Sequence, residues 1–475
     1  MAEPPAHNPH DDPSDRATDD GDWSALWNVG PSYIASDKPL ARAVARPVRE
    51  FLRIESAGSV LLLVAAAVAI IWANSPWAES YDAFWHAHVV LEAGPISIDE
   101  SLQHWVNDAL MVIFFFVVGL EIKYELVSGD LRDPRSAAMP IIAALGGMLV
   151  PAAIYVALNP PGTDGSSGWG IPMATDIAFA VGVLGLLGRR IPSAGRLFLL
   201  TLAIADDIGA ILVIAVFYTA DLSLEWLAAA LALLGLMVLA RFLRIWSVVV
   251  YAVLGVCAWY ALLQSGVHAT LAGVAIGLIT PAVPLLREEV SRHHAQQALR
   301  DNRLDPDELA RMRFLLQESV PVVERLQAAL HPLSSYVVLP VFALANAGVS
   351  LSGFGEAVTS SVALGIILGL VVGKPVGIFL FSWLAVRTGV GKLPEGTGWA
   401  TVLGLGSVAG IGFTVSLFIA QLSFPGNETL TSDAKVGILL ASLVSAVVGV
   451  VLLLAATRGR DADEERAVSG PSRSS

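Results

Sequence analysis

The amino-acid sequence predicts an all-α protein that crosses a membrane many times. Of its 475 residues, 55% are hydrophobic and 15% are charged, whereas a soluble domain carries about 25% charged residues. The mean hydropathy is +0.65. Twelve membrane spans of about 20 residues need roughly 240 residues, which this composition supplies. The composition therefore excludes a disordered chain, a disulfide scaffold and an ordinary soluble enzyme.

Long apolar runs follow one another between residues 56 and 456, which we interpret as the membrane domain. The twelve predicted spans lie at 56–74, 104–127, 137–158, 171–187, 196–219, 222–241, 245–263, 267–283, 333–348, 361–384, 399–422 and 434–456. Several runs are interrupted by glycine, proline or a charged residue. These interruptions indicate that the spans do more than anchor the chain.

The two ends of the chain are polar. Residues 1–35 are acidic at their start and rich in proline and aspartate, which predicts a disordered tail and not a secretory signal. The basic segment 36–55 suits either an anionic membrane face or a solvated linker. Residues 457–475 form a C-terminal tail. The single cysteine, Cys257, lies in an apolar run, so neither a disulfide framework nor a cysteine metal site is expected.

The predicted loops distribute lysine and arginine almost completely to one side of the membrane domain. If the N-terminus is cytoplasmic, the outward connections contain neither residue; they are 75–103, 159–170, 220–221, 264–266, 349–360 and 423–433. The inward connections are rich in arginine, above all the long loop 284–332. Because cytoplasmic loops are enriched in positive charge, we predict that this loop and both termini are cytoplasmic.

The outward segment 75–103 is long enough to hold structure of its own. Two short runs of alternating residues, 88–92 and 96–98, flank Ala93-Gly94-Pro95, which predicts a β-hairpin. Since an isolated hairpin is marginally stable, we expect it to pack against another element.

Two adjacent aspartates, Asp206 and Asp207, lie in the middle of an apolar span. A carboxylate at that depth is costly and usually faces a cavity with a function. Successive helical residues point about 100° apart, so one carboxylate can face a water-filled site while the other faces a neighbouring helix. A loop mistaken for a span is the competing interpretation, which the apolar flanks disfavour.

Two other spans carry signs of an interrupted helix. In the first, Pro172 precedes Thr175 and Asp176, whose oxygens suit a small cation, although both residue types are also good helix caps. In the second, glycines cluster between 404 and 412, which allows either unwinding or close helix packing. An unwound backbone at this depth has to line a cavity or be buried in protein.

Lys374 lies far from either end of its predicted span. A lysine buried there needs a partner carboxylate or loses its proton. We expect Asp206 or Asp207 to be that partner, with snorkelling to the interface as the alternative.

Further charged residues lie closer to the ends of spans. Glu121 and Glu125 share one helix face, where two like charges are better explained by a hydrated cation path than by helix stabilisation. Asp108 is a further carboxylate inside a span. His268 begins a span, which favours a hydrogen-bonded structural role over a switch.

Several long sequence runs surround these polar residues. They are NDALM (107–111), GLEIK (119–123), ATDIAFAVGVLGLLG (174–188), LAIADDIGAILVIAVFYT (202–219), SGVHATLAGV (265–274), LPVFALANAGVSL (339–351), GKPVGI (373–378) and GIGFTVSLFIA (410–420). In this order, over roughly residues 50–456, they resemble the bacterial NhaA-type sodium/proton antiporter family. The resemblance implies inverted repeats and two broken helices that cross in mid-membrane.

The resemblance also implies roles for single residues. The transport and ion-binding set is Asp206, Asp207, Thr175, Asp176 and Lys374. The funnel and pH-response set is Asp108, Glu121, Glu125 and His268. In this scheme Asp207 binds the cation and takes up protons, while Asp206 pairs with Lys374 and shares in the transient Na⁺ or Li⁺ site. Thr175 and Asp176 belong to the helix crossing. Asp108 lies along the inward funnel, and the two glutamates lie near its mouth.

The expected activity is secondary transport and not enzymatic catalysis. The resemblance implies electrogenic export of Na⁺ or Li⁺ in exchange for external H⁺, for sodium and pH homeostasis, in the bacterial inner membrane. We expect a homodimer through the 75–103 hairpin, no cofactor and no nucleic-acid partner. Two alternatives are a sodium-coupled symporter of a small solute and an intramembrane aspartyl protease that uses Asp176 and Asp207. The few polar side chains in the spans favour a small ion.

Two segments depart from the family pattern. The family often has Lys-Arg-Glu where this chain has Lys123-Tyr124-Glu125, and an acidic residue followed by histidine where this chain has Gln327-Ala328. Both positions are linked to pH sensing in the family. The departures leave the exchange chemistry intact and put the pH set-point in doubt.

Overall fold

The computed structural model describes residues 57–93, 96–219, 222–243, 245, 248–286, 289, 292–293 and 305–468. The predicted tail at 1–35, the basic segment 36–55 and the last residues of the C-terminal tail lie outside this part of the chain. From Gly58 onward the chain forms one compact unit, which is built mainly from helices.

The helices are numbered in chain order. They are α1 (Ala57–Ala73), α2 (Ala78–Trp85), α3 (Leu102–Trp105, Val106–Leu110 and Met111–Val127), α4 (Pro134–Leu158), α5 (Asp164–Met173 and Ile177–Leu187), α6 (Ser193–Phe217), α7 (Leu224–Phe242), α8 (Val248–Gln264), α9 (Leu271–Ile279), α10 (Pro306–Glu318), α11 (Val322–Leu333, Ser334–Val338 and Leu339–Asn346), α12 (Phe354–Thr359), α13 (Ser361–Leu368, Gly369–Gly373 and Lys374–Arg387), α14 (Trp399–Ala409 and Phe413–Ser423) and α15 (Glu428–Val468). Short 3₁₀ turns lie at Asp130–Arg132 and Gly188–Arg190.

Many of these helices are long and apolar enough to cross a membrane. In the described part of the chain, six pass this test alone, namely α4, α6, α7, α11, α13 and α15. Three bent pairs raise the count to nine: α1 with α2, and the two halves of α5 and of α14. A helix of 25 residues, such as α4, is about 37 Å long and exceeds the 30 Å hydrocarbon core. The all-α, multi-span fold is thus confirmed, and the count of twelve stays a prediction.

The outer surface of the helices is apolar. Exposed side chains include Leu186, Leu212, Val216, Val249 and Val256. Soluble monomers rarely expose so much apolar surface, whereas lipid tails cover it without cost. Most of the buried interior of the described chain is one large cluster of small and apolar side chains, and two smaller clusters lie apart from it.

Helices α4 and α13 touch each other through glycines. A Cβ added to Gly146 would overlap the carbonyl of Gly377, and one added to Gly377 would overlap the carbonyl of Gly146. Small residues let membrane helices approach closely. Because Lys374 begins the last segment of α13, this contact holds its backbone against α4.

Three helices contain a π-helical turn. These turns are Val106–Leu110 in α3, Ser334–Val338 in α11 and Gly369–Gly373 in α13. Two of them precede a proline, Pro340 or Pro375, which lacks the N–H needed for regular helical bonding. Such turns often mark functional sites, and here they lie at Asp108 and immediately before Lys374.

The predicted hairpin is present. Strands β1 (His88–Ala93) and β2 (Ile96–Ser101) pair antiparallel, from His88 opposite Ser101 to Ala93 opposite Ile96. The hairpin is fixed to α3, because the Trp105 indole donates to the Val89 carbonyl over 3.0 Å. The membrane side on which the hairpin lies stays a prediction.

Helix α11 differs most from its predicted span. It begins at Val322, well before residue 333, because its first half is amphipathic and charged on one face. Val323 on that half packs with Leu120 and Ala282. Helix α9 is shorter than its predicted span and covers Leu271–Ile279. The apolar run in the sequence predicted the second half of α11 but not the first half, which packs on α3.

Candidate functional site

Two helices are broken at the centre of the bundle. The halves of α5 bend by 42° around Ala174-Thr175-Asp176, and the halves of α14 bend by 48° around Gly410-Ile411-Gly412. The breaks meet each other, because the Asp176 N–H donates to the Ile411 carbonyl over 2.7 Å. The two extended segments therefore satisfy part of each other's backbone, which an unwound chain at this depth requires.

Asp176 binds the first residues of both second halves. Its Oδ1 accepts from the Phe179 N–H at 2.9 Å, which caps the helix that begins at Ile177. Its Oδ2 accepts from the N–H and the hydroxyl of Thr414 at 3.0 and 2.6 Å. A helix N-terminus carries about half a positive charge. The carboxylate thus lies between two positive helix ends, and both of its oxygens are occupied.

Thr175 joins the crossing to α6. Its hydroxyl lies 2.7 Å from Asp206 Oδ2 and 2.9 Å from the Ala409 carbonyl. A hydroxyl has a single proton to donate, so the two acceptors compete for it. The hydroxyl is therefore able to turn towards either one.

Asp206 and Lys374 form a buried ion pair. Lys374 Nζ lies 2.6 Å from Asp206 Oδ2, and both side chains are fully buried. The ammonium group also donates to the carbonyl of Met173, at the end of the first half of α5. Asp206 Oδ1 is buried without a hydrogen-bond partner. The sequence-predicted pair is present, and the unoccupied oxygen leaves the carboxylate able to bind a further group.

Asp207 faces a different environment. It is buried, and its Oδ1 has no hydrogen-bond partner. It lines a small apolar pocket with Phe114, Phe115, Val118, Ala210, Ile211, Ile214 and Val415. The two neighbouring carboxylates therefore point to different surroundings, as the 100° helical step requires.

The remaining predicted residues are spread over the molecule. Asp108 precedes Glu121 by 13 positions on α3, which is about 20 Å along a helix. Asp108 is near the hairpin end, where its carbonyl accepts from the Trp259 indole over 2.7 Å. Glu125, at the other end, accepts from the Asp130 N–H over 2.9 Å and so fixes the loop after α3. The structure does not bring Asp108 and the two glutamates together.

His268 is held by a backbone group. Its Nε2 lies 2.7 Å from the carbonyl of Tyr218, the C-cap residue that follows α6. Because a carbonyl only accepts, Nε2 carries a proton, which the neutral ring allows. The contact agrees with the structural role that the sequence favoured.

One of the two departures from the family pattern lies at the contact between α3 and α11. Tyr124 on α3 packs in one apolar cluster with Val323 and Leu326 on α11. Leu326 directly precedes Gln327, the start of the other departure.

Sequence reasoning missed several site groups. The carbonyls of Met173 and Ala409 are backbone atoms, which no side-chain pattern reveals. The amides Asn346 and Gln421, which hydrogen-bond to each other, each interrupt an apolar run. A lone amide at membrane depth was the signal that could have identified them.

The fold, with two broken helices that cross beside buried charged residues, is that of a polytopic secondary transporter. The chain matches the family model described as Na⁺/H⁺ antiporter 1 over residues 49–453. It belongs to this family.

Named relatives are similar over most of their length. One is the Na(+)/H(+) antiporter NhaA 2 of Sorangium cellulosum, 47% identical over 90% of this chain and 94% of the relative. Another is the Na(+)/H(+) antiporter NhaA 3 of Frankia alni, 48% identical over 86% and 89%. The Na(+)/H(+) antiporter NhaA of Oleidesulfovibrio alaskensis is 45% identical over 90% and 98%.

The two alternative functions find no support. A protease would need Asp176 and Asp207 to share a proton across a water, but both oxygens of Asp176 accept hydrogen bonds at the helix ends. A symporter of an organic solute would need a roomy polar cavity, whereas the pocket at Asp207 is small and apolar.

Proposed function

We propose that the protein exchanges Na⁺ for H⁺ across the bacterial inner membrane through competition at Asp207. The observation that carries this proposal is a buried carboxylate oxygen without a partner. An isolated ionised carboxylate in an apolar site is strongly disfavoured. Asp207 is therefore stable when it is protonated or when it binds a desolvated cation, and one state excludes the other.

Asp206 and Lys374 supply the second half of the exchange. A cation that bridges Asp206 Oδ1 and Asp207 competes with Lys374 for the Asp206 charge. Once its partner is lost, the buried ammonium group is driven to release a proton. Two protons then leave for each Na⁺ that enters, which makes the exchange electrogenic. The Thr175 hydroxyl, freed from Asp206, can turn to the Ala409 carbonyl.

Orientation follows from the distribution of basic residues. The connections after α1, α4 and α6 lack lysine and arginine, whereas Arg132, Arg135 and Arg387 lie at the other ends of the helices. Under the positive-inside rule, the hairpin is outside and both termini are inside. External protons then drive the export of Na⁺, which serves sodium and pH homeostasis.

Li⁺ is the second proposed substrate, and a second copy of the chain is the proposed partner. Small hard cations suit carboxylate and hydroxyl oxygens, and Li⁺ meets this condition as well as Na⁺.

Strand β1 exposes Val89, Val90 and Leu91 on a two-stranded sheet, whose edges can pair with another strand. We therefore propose a homodimer through the hairpin.

The test measures acidification of everted membrane vesicles with a pH-sensitive dye. Respiration acidifies the lumen, and Na⁺ or Li⁺ added outside should restore the dye fluorescence, whereas K⁺ should not. Vesicles from cells that carry the empty vector give the background. Equal recovery with all three ions, or none with Na⁺, would contradict the proposal.

A further inference from the structure

Four side-chain amides form a cluster between three helices. Gln103 and Asn107 lie on α3, Asn346 on α11 and Gln421 on the second half of α14. Asn346 Nδ2 donates to Asn107 Oδ1 over 2.8 Å, and Gln103 Nε2 donates to Asn346 Oδ1 over 3.0 Å. Gln421 accepts from the Asn107 amide and donates to Asn346 Oδ1. We call these four residues the amide cluster.

The amide cluster lies on the hairpin side of the Asp207 pocket. Phe114 and Val415 both line that pocket. Asn107 precedes Phe114 by seven residues, about 10 Å along α3, and Gln421 follows Val415 by six, about 9 Å along α14. On both helices, the amide cluster therefore lies nearly two turns away from these pocket residues, towards the end of α3 that carries the hairpin.

Aromatic rings fill the space between the two levels. The rings of Phe115 and Phe418 lie 5.3 Å apart, and those of Phe342 and Phe418 lie 6.5 Å apart. The Phe342 carbonyl accepts from Asn346 Nδ2 over 2.9 Å, which ties the rings to the amide cluster. An ion at Asp207 is therefore separated from the hairpin side by aromatic rings and then by hydrogen-bonded amides.

Amides are suited to a contact that opens and closes. They carry no net charge, so water can replace an amide–amide bond at a small net cost, whereas a separated buried ion pair would leave bare charges. Their carbonyl oxygens are also hard ligands that a passing Na⁺ can use. The amide cluster can thus close the path and, once opened, line it.

We propose that the amide cluster is the outward gate of the Asp207 pathway, with Gln421 separating from Asn107 and Asn346 when the site opens to the hairpin side. This inference rests on the proposed antiport, which requires Asp207 to face each side in turn. Gln421 is the moving member, because it lies on a broken helix of the crossing, whereas Asn107 and Asn346 lie on α3 and α11.

The first test measures access to the pocket without measuring transport. Cys257, the single cysteine, is replaced by serine, and Val118→Cys places a thiol in the pocket, about 16 Å along α3 from Asn107 and therefore behind the amide cluster. In right-side-out vesicles, a membrane-impermeant thiol reagent should label it about tenfold faster when Gln421→Ala is added, as expected for the loss of one or two hydrogen bonds. The matched control is Gln264→Ala, an exposed amide at the end of α8. Equal rates in the two variants would overturn the gate.

The second test keeps both helices folded and closes the gate reversibly. Asn107→Cys and Gln421→Cys, in the Cys257→Ser background, are linked with a short bis-methanethiosulfonate reagent. Na⁺-driven proton movement should stop in the linked protein and return after reduction, while each single-cysteine variant stays insensitive. Exchange that continues in fully linked protein would refute the gate. Because labelling of Val118→Cys needs no ion exchange, failure of the gate is distinguishable from failure of the antiport.

Discussion

The polar crossing at Asp206 and the apolar pocket at Asp207 are one residue apart in sequence and opposite in chemistry. Asp206 binds Lys374 and Thr175 at 2.6 and 2.7 Å, whereas Asp207 lies among phenylalanine, isoleucine and valine side chains. The crossing holds a fixed arrangement of charges and helix ends. The pocket is lined by a carboxylate that has an oxygen without a hydrogen-bond partner. In the proposed exchange, a proton and a cation therefore alternate at Asp207, and Lys374 releases its proton in response.

The largest effect on exchange is expected from a substitution of Asp207. Asp207→Asn keeps the size of the side chain and removes its charge, so it should abolish Na⁺-dependent proton movement while the protein stays folded. The measurement is dye fluorescence in everted vesicles, with the melting temperature in detergent as the folding check. Asp164→Asn makes the same chemical change at an exposed position and should leave exchange intact. Exchange at the unmutated level in Asp207→Asn would rule out this assignment.

At the crossing, by contrast, substitution should first cost stability. Lys374→Ala leaves Asp206 buried and unpaired, and removal of one partner of a buried pair typically costs about 3–5 kcal/mol. The unfolding free energy in micelles should fall by that amount, whereas Lys392→Ala, an exposed lysine, should change it little. The combined change Asp206→Asn with Lys374→Gln should be less damaging than the sum of the single changes. Strict additivity would argue against direct pairing.

Loss of the hydrogen bond between Thr414 and Asp176 should lower the stability of the crossing by a smaller amount. Thr414→Val removes the hydroxyl that donates to Asp176 and keeps the backbone N–H that donates to the same oxygen. A hydrogen bond to a charged group contributes about 1.5–3 kcal/mol, so the unfolding free energy should fall within that range. Thr359→Val, at an exposed site, is the matched control. A loss no larger than the control's would show that Thr414 does not hold the crossing.

The smallest expected effect is a shift of the pH profile. If binding of one Na⁺ releases two protons, as proposed, activity should extend to lower pH as Na⁺ rises, by about half a pH unit per tenfold. The activity–pH profile at three Na⁺ concentrations measures this shift. A steep activation edge that stays at one pH at every Na⁺ concentration would contradict this competition and would indicate a separate pH sensor.

The sequence predicted the groups whose chemistry is rare at membrane depth. Asp206, Asp207 and Lys374 stand out because charge there is costly, and proline and glycine marked both helix breaks. The roles of the partners could not be read in the same way. The Met173 and Ala409 carbonyls act through backbone position, and Asn107 joins Asn346 and Gln421 from distant parts of the chain. The start of α11 was also missed, because an amphipathic half-helix does not show as an apolar run.

The charges at the crossing determine how the membrane voltage acts on the site. Asp176 lies at the two positive helix ends, and the Lys374 ammonium lies at a negative end, the Met173 carbonyl. The four helix ends of the crossing cancel one another, so the response to voltage depends on how the charge differs between the loaded states. In the proposed cycle, the Na⁺-loaded site carries one more negative charge than the proton-loaded site, because two protons have left and one cation has entered. A charge that crosses the whole membrane field gains about 2.3 kcal/mol per 100 mV. A negative interior therefore favours the outward movement of the sodium-loaded form over that of the proton-loaded form, and the difference corresponds to one charge.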